Sequence, residues 1–191
     1  MPKPDGDFTR PIIAAASEVA KAVSARTFFA YVSAIDDLHG LVSTLQPSTQ
    51  LVLICQNPEE EAIADSMKVQ KLLVPAFDLT RMGQIKMATL LAFSQSLLKP
   101  GDVFVFVAGG TGHGVDTLVT MRVGDEFELF QTVGQPSLME HIRRPVFEKV
   151  LRIALELANE GREGKPVGAI FVLGDHREVL KYSLEGRINP F

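Results

Sequence analysis

The order of hydrophobic patterns in these 191 residues predicts an α/β fold. Residues 27–32, 50–55 and 103–107 are apolar runs with almost no polar interruption, the pattern of strands covered on both faces inside a sheet. Between them lie stretches whose apolar residues recur three and four apart, the period of an amphipathic helix. A glycine-rich loop, Ala108-Gly109-Gly110-Thr111-Gly112-His113-Gly114, follows the third run. In an open α/β sheet that loop lies at the carboxyl edge of the strands, where ligands bind.

Thr9 is the expected cap of a first helix with Pro11 in its opening turn, where a missing N–H breaks no hydrogen bond; Ile12, Ala16, Val19, Ala20 and Val23 share one face. Residues 27–32, TFFAYV, form a strand rich in aromatic and β-branched residues, and residues 33–37 the loop after it. Leu38, Leu41, Val42 and Leu45 give the second helix its core-facing stripe. Residues 50–55, QLVLIC, are the second strand, and Asn57-Pro58 with a Glu-rich first turn starts the third helix, acidic at the end the helix dipole favours. Residues 71–74 make a short third strand. Asp78 or Thr80 then caps a long helix that carries Met82, Ile85, Ala88, Leu91, Ala92 and Gln95 on one face until Lys99-Pro100-Gly101 stops it.

After the strand at 103–107, residues 117–123 and 126–132 flank Gly124-Asp125, a two-residue connection suited to a type II′ hairpin. Residues 135–139 read as a linker, and Ile142, Val146, Val150, Ile153, Ala154 and Leu157 as a helical stripe ending at Gly161. Residues 167–173, VGAIFVL, have the composition of a buried strand, and residues 176–185 that of one more helix. A lone strand with two helices leaves its hydrogen-bonding edges uncovered. The expected organisation is therefore a closed α/β domain over residues 1–134, then a helix–strand–helix appendage over 135–191 that begins a second domain.

Composition narrows the function classes. With 46% hydrophobic residues the chain can fill a core, no apolar run approaches the ~20 residues of a membrane span, and the beginning MPKPDGDFTR lacks a signal-peptide pattern. A cytoplasmic location is expected. Cys55 is the single cysteine, which excludes an intrachain disulfide and a cysteine zinc site. A net charge of −4 gives no broad attraction for nucleic acid, and Arg143, Arg144, Lys149 and Arg152 are interleaved with Glu140, Glu148 and Glu156 as on a solvated helix face. Neither nucleic acid nor membrane is an expected partner.

No catalytic constellation is visible. His39, His113, His141 and His176 lack partners at metal-pair spacing, and no Gly-x-Ser-x-Gly elbow occurs. The glycine loop lacks the Lys-Ser/Thr of a P-loop and leads into a strand rather than a helix. No catalytic residue and no metal site are assigned.

Residues 11–123 nevertheless resemble the C-terminal domain of pyruvate kinase, in the Ala-rich helix IIAAASEVAKAVSA, the strand QLVLIC, and LLKPGDVFVFVAGG followed by the glycine loop and TLVTMRV. The resemblance implies a three-layer α/β/α sandwich with a mostly parallel five-stranded sheet, order 3-2-1-4-5, last strand antiparallel. That order sets the loops after strands one and four side by side at a topological switch point. The candidate ligand residues are then Ser33, Asp36, Asp37, Thr111, Gly112, His113, Gly114, Asp116 and Thr117. The same glycines and hydroxyls also suit a chain that merely turns there. Pyruvate kinase activity is not implied, since its catalytic barrel cannot fit in ten residues before Pro11. Where kinases of that family cradle a phosphorylated effector with Ser, Thr and Gly, this chain has Ser33-Ala34-Ile35-Asp36-Asp37, whose two carboxylates repel a phosphate.

Residues 155–191, with EGREGKPVGAIFVLGD and the closing NPF, look like the start of the diadenylate cyclase domain of DNA-integrity scanning proteins. This resemblance implies a parent that condenses two ATP into cyclic di-AMP across two facing subunits with a divalent metal, Mg or Mn. The family's Asp-Gly-Ala and Arg-His-Arg signatures are expected beyond Phe191; neither Asp5-Gly6-Asp7 nor Asp175-His176-Arg177 reproduces them. The leading expectation is a regulatory or scaffold region of such a cyclase: inactive alone, without a cofactor of its own, homo-oligomeric, partnered by the rest of the cyclase domain and open to a small-molecule effector. The rival is a small-ligand domain that binds a nucleotide or phosphometabolite with the switch-point loops.

Overall fold

The computed structural model describes residues 8–76, 79–109, 114–124, 142–161, 165 and 167–183. The chain divides into two compact units, Met1–Gln135 and Pro136–Phe191. In the first unit the strands are β1 (Thr27–Tyr31), β2 (Gln50–Cys55), β3 (Gln70–Leu73), β4 (Val103–Ala108) and β5 (Thr117–Arg122). They form one sheet in the order β3-β2-β1-β4-β5. All neighbours are parallel except β4 and β5, which are antiparallel, as the pyruvate kinase resemblance implied.

Residue alternation along each strand builds two cores. Phe28 and Ala30 of β1, Leu53 and Cys55 of β2 and Val105 and Val107 of β4 pack with Ala16 and Ala20 of α1 (Thr9–Ala22), Leu41 of α2 (Leu38–Thr44) and Ala64 of α3 (Pro58–Ser66). Phe29, Phe104 and Phe106 face the other way. Phe29 meets Phe104 edge-on and stacks on Phe106, both at 5.7 Å between ring centres. α4 (Arg81–Ser94) packs on β3 and β4 and accepts, through the Gln84 carbonyl, the Tyr31 hydroxyl proton at 3.4 Å. Burying four phenylalanines of β1 and β4 completely supplies roughly 2–3 kcal/mol each, which makes this pair the centre of the fold.

Helix starts follow side-chain chemistry. Asn57 Oδ1 accepts from the Glu60 N–H at 2.9 Å while Glu60 Oε2 accepts from the Gln56 N–H at 2.8 Å, a reciprocal cap around Pro58. Thr80 caps α4 by accepting from the Gly83 N–H, whereas Asp78, the alternative cap, lies outside the described residues. α1 departs from expectation: Phe8 holds the cap position, and Thr9 is the first helical residue, its hydroxyl committed elsewhere. The strand expected over 27–32 gives way at Val32 to a short 3-10 turn, Val32–Ala34. β3 starts one residue early, yet the Val74 N–H still donates to the Cys55 carbonyl at 2.9 Å. Gly124 has a φ of 111°, the sign required of a leading glycine in the expected hairpin, whose second limb at 126–132 lies outside the described residues, as does the linker at 135–139.

In the second unit α5 (Arg144–Glu160) begins with Pro145 in its first turn and ends at Gly161, whose φ of 64° is left-handed. α6 spans His176–Lys181. The strand expected at residues 167–173 is a correction: the segment takes no regular secondary structure, and Ile170 is 94% exposed. Its apolar residues carry strand propensity, but among the described residues no strand ladder includes them, and propensity alone does not make a strand.

Candidate functional site

β1 and β4 lie side by side, yet the chain leaves β1 toward β2 and leaves β4 toward β5. This is the switch point of the sheet, and the segments after both strands reach its carboxyl edge. There α1 begins and α2 begins, and between them opens a cleft of about 700 Å³. That volume falls in the range of small-molecule sites, roughly 300–1,000 Å³. Pro11, Ile13, Ile35 and Leu41 supply apolar surface; Thr9, Arg10, Asp36, Asp37, Ser43 and Thr44 supply the polar groups.

Local hydrogen bonds fix the cleft walls. Asp37 Oδ1 accepts from the Gly40 N–H at 2.8 Å and so starts α2. A Cβ on Gly40 would stand 2.3 Å from Asp37 Oδ2, so glycine lets the carboxylate fold over the helix start. Ser43 donates to the Gly40 carbonyl and Thr44 to the Leu41 carbonyl, both at 2.8 Å. Across the cleft, the Thr9 hydroxyl accepts the buried Val115 N–H at 3.0 Å, tying the start of α1 to the segment between β4 and β5.

The next residue turns the opposite way. Asp116 is paired with Arg81 at the start of α4, Nε donating to Oδ1 at 2.7 Å and Nη2 pairing with Oδ2, and Oδ1 also accepts from the Thr117 hydroxyl at 2.8 Å. The Arg81 guanidinium beside it holds the Asp116 carboxyl below the usual carboxylate range, with partial burial opposing and Thr117 assisting. Gly109 shows why this loop needs glycine: a Cβ there would lie 1.6 Å from the Gly114 carbonyl oxygen.

The candidate residues thus separate. Asp36 and Asp37 line the cleft; Ser33 is exposed on the 3-10 turn and does not line it. Asp116 and Thr117 join the α4 side through Arg81, and Gly114 closes against Gly109. Thr111, Gly112 and His113 lie outside the described residues. Thr9, Arg10, Ser43, Thr44 and Arg81 are additions from the structure. Thr9 had been assigned to a cap, and nothing in the spacing of the others brings 9–14 and 35–44 together before the sheet order is known.

Elsewhere, burial, with the Glu60 and Glu61 carboxylates adding to it, pushes the Cys55 thiol up to about 11. Burial raises the Tyr31 phenol as well. Lys71 on β3 pairs with Asp65 at 2.7 Å and Glu61 at 3.4 Å, which fastens α3 to the sheet edge. Among the described residues no three His, Cys, Asp or Glu side chains gather as a metal site, and no helix is long and apolar enough to cross a membrane.

Comparison with known proteins places these observations. The family model described as "Probable sensor domain DacZ_P" matches residues 9–131. A diadenylate cyclase of Haloferax volcanii is 32% identical over 102 residues, covering 52% of this chain and 36% of that protein. A diadenylate cyclase of Methanocaldococcus jannaschii is 31% identical over 108 residues, covering 52% of this chain and 33% of its own length. The matched region spans about a third of these curated relatives. Among solved structures, a pyruvate kinase from Cryptosporidium parvum overlaps 64% of this chain and 24% of its own with a TM-score of 0.46 and 24% identity, a likeness too slight to carry an argument.

Proposed function

The chain belongs to the probable sensor domain family DacZ_P and is related to diadenylate cyclases. From that premise we propose that its first unit senses a small molecule in the α1/α2 cleft and biases the activity of a diadenylate cyclase of which it is a part. One observation carries the reading: the sensor-family match, residues 9–131, covers a unit whose switch-point edge holds a cleft of ligand size.

The parent reaction, two ATP to cyclic di-AMP with Mg or Mn, is proposed from the resemblance and from the names of the relatives. In this reading the sensor unit supplies no reacting group. Its ligand favours one arrangement of the attached cyclase domains, and coupling follows from differential affinity for the two arrangements. Homo-oligomers are part of the proposal, because the resemblance implies one ATP on each of two facing subunits. The likeness to DNA-integrity scanning proteins is kept as the finer form of the same proposal.

The test uses the protein at its full natural length, with ATP and Mn. Ser43→Tyr fills the cleft from an exposed position, and deletion of residues 9–131 removes the unit. Cyclic di-AMP output altered severalfold by both supports the reading; output unchanged by either overturns it. The 191-residue chain alone is expected to form no cyclic dinucleotide, and formation of the product by it would overturn the assignment of the catalytic signatures to residues outside it.

A further inference from the structure

We propose that a second hollow, at the amino edge of the sheet, binds a small organic monoanion, a carboxylate on an apolar body. It opens where β2 and β3 begin, beside the end of α2, has a volume of about 580 Å³, and shares no lining residue with the α1/α2 cleft. The proposal therefore stands apart from the sensor reading. Val42, Leu45, Leu51 and Val69 give the hollow apolar surface, and Lys68 is the one charged side chain on its wall. Among the described residues Lys68 joins no ion pair; Asp65, at the end of the same helix, is paired with Lys71 at 2.7 Å.

Backbone conformation singles out Lys68 as well. Its φ of 55° lies in the left-handed region that favours glycine, and the equivalent positions after α1 and α4 carry only small serines, Ser24 and Ser96. After α3 the same conformation holds a long cationic side chain on the wall of the hollow. The backbone donors around it are already used. The Lys68 N–H donates to the Asp65 carbonyl at 3.0 Å and the Val69 N–H to the Ala64 carbonyl at 3.2 Å; at the start of β2 the Thr49 and Gln50 N–H groups donate to the Gln46 and Arg26 carbonyls, both at 2.9 Å. The Thr49 hydroxyl donates to the Ala25 carbonyl at 3.1 Å. A guest anion therefore meets one ammonium and the exposed amide side chains of Gln46 and Gln50, which suits a single charge. A phosphate dianion calls for a second cation or a row of open N–H groups, and the wall offers neither. A bare ion would leave the apolar surface wet, whereas an apolar body covers it.

The experiment titrates the 191-residue chain, labelled at its Val and Leu methyl groups, with indole-3-acetate, indole-3-acetamide and inorganic phosphate. The first two share a body and differ only in the charge of the head group. Indole-3-acetate is expected to shift the Val42, Leu45, Leu51 and Val69 methyl signals and to bind roughly three- to fivefold tighter than the amide, the margin an exposed ion pair supports. Lys68→Gly, which the left-handed backbone accommodates, should keep the fold and bring the two indoles to equal affinity, while Lys68→Arg should keep the preference. Equal affinity of the two for the parent protein, a preference that survives Lys68→Gly, or methyl signals unmoved by both overturns the proposal. Phosphate shifting the same signals at a lower concentration than indole-3-acetate also overturns it. None of these results touches the sensor reading, which the cyclic di-AMP assay decides separately.

Discussion

Arg81 and Asp116 join two segments that sequence order separates: the start of α4, after β3, and the segment between β4 and β5. The pairing is bidentate, and Thr117 completes the coordination of Oδ1. It draws the carboxyl edge of β4 toward α4, while Val115, one residue earlier, is held by Thr9 toward α1.

The Asp116 carboxyl titrates lower in the folded protein than in the unfolded chain, chiefly through the Arg81 hydrogen bonds. Its contribution is therefore present above the unfolded value, about 3.9, and is lost as pH falls through the folded one. Arg81→Ala is expected to lower Tm at pH 7 by no more than about 4 °C, because the pair is half exposed. The difference from the parent protein should shrink steadily as the pH is taken below about 4. Thermal melts of both proteins across that range check it; a difference that grows on acidification would contradict the pairing.

Two glycines on the β4 side should respond differently to alanine. At Gly109 the obstacle is the Gly114 carbonyl, backbone that cannot swing aside, and Gly109→Ala should cost at least about 2 kcal/mol. At Gly101 a Cβ meets nothing within 4 Å, but φ is +84°. The penalty there is conformational alone, about 1–2 kcal/mol. Urea denaturation of the two variants ranks them, and equal losses would refute the close contact at Gly109.

Cys55 gives an alkaline counterpart. Its thiol is raised from about 9 to about 11, by burial first and then by the neighbouring Glu60 and Glu61. A raised acid of this kind contributes its full stability below the unfolded value and loses it as pH rises toward the folded one. Between about pH 9 and 11 the protein should lose stability faster than its Cys55→Ala variant. The folded thiol should also react with a disulfide reagent at pH 8 much more slowly than the urea-unfolded chain.

Much of the sheet was legible in the sequence because its strands carry no polar interruption: QLVLIC and VFVFVA can be satisfied only by cover on both faces, and Gly124 marks the reversal into the antiparallel arrangement. The segment at 167–173 shows the limit of that reasoning. Its side chains are equally apolar, yet a strand needs a partner edge, and pairing is not written in local composition. The cleft was half legible. Asp36 and Asp37 announced themselves by following β1, but Arg10, Ser43 and Thr44 become neighbours only after α1 and α2 are laid on the same face of the sheet. Thr9 was misassigned for a related reason: a threonine before a proline-containing first turn fits a cap, and only the tertiary structure shows Val115 as its partner.

That last contact yields the sharpest mutational test of how the switch point is held. The Val115 N–H is buried, and the Thr9 hydroxyl 3.0 Å away accepts its proton. Thr9→Val keeps the shape of the side chain but leaves the amide without an acceptor, which should destabilise the unit by about 1–3 kcal/mol. Thr9→Ser retains the oxygen and should recover most of the loss. Because the bond spans α1 and the segment after β4, its removal should also speed hydrogen exchange at Val115 while leaving amides at the centre of β1 protected. Denaturation together with residue-resolved exchange measures both effects. If Thr9→Val were as stable as the parent protein and Val115 exchanged no faster, the start of α1 would not be anchored through this hydroxyl, and the wall of the cleft that Thr9 forms would have to be held by apolar packing alone.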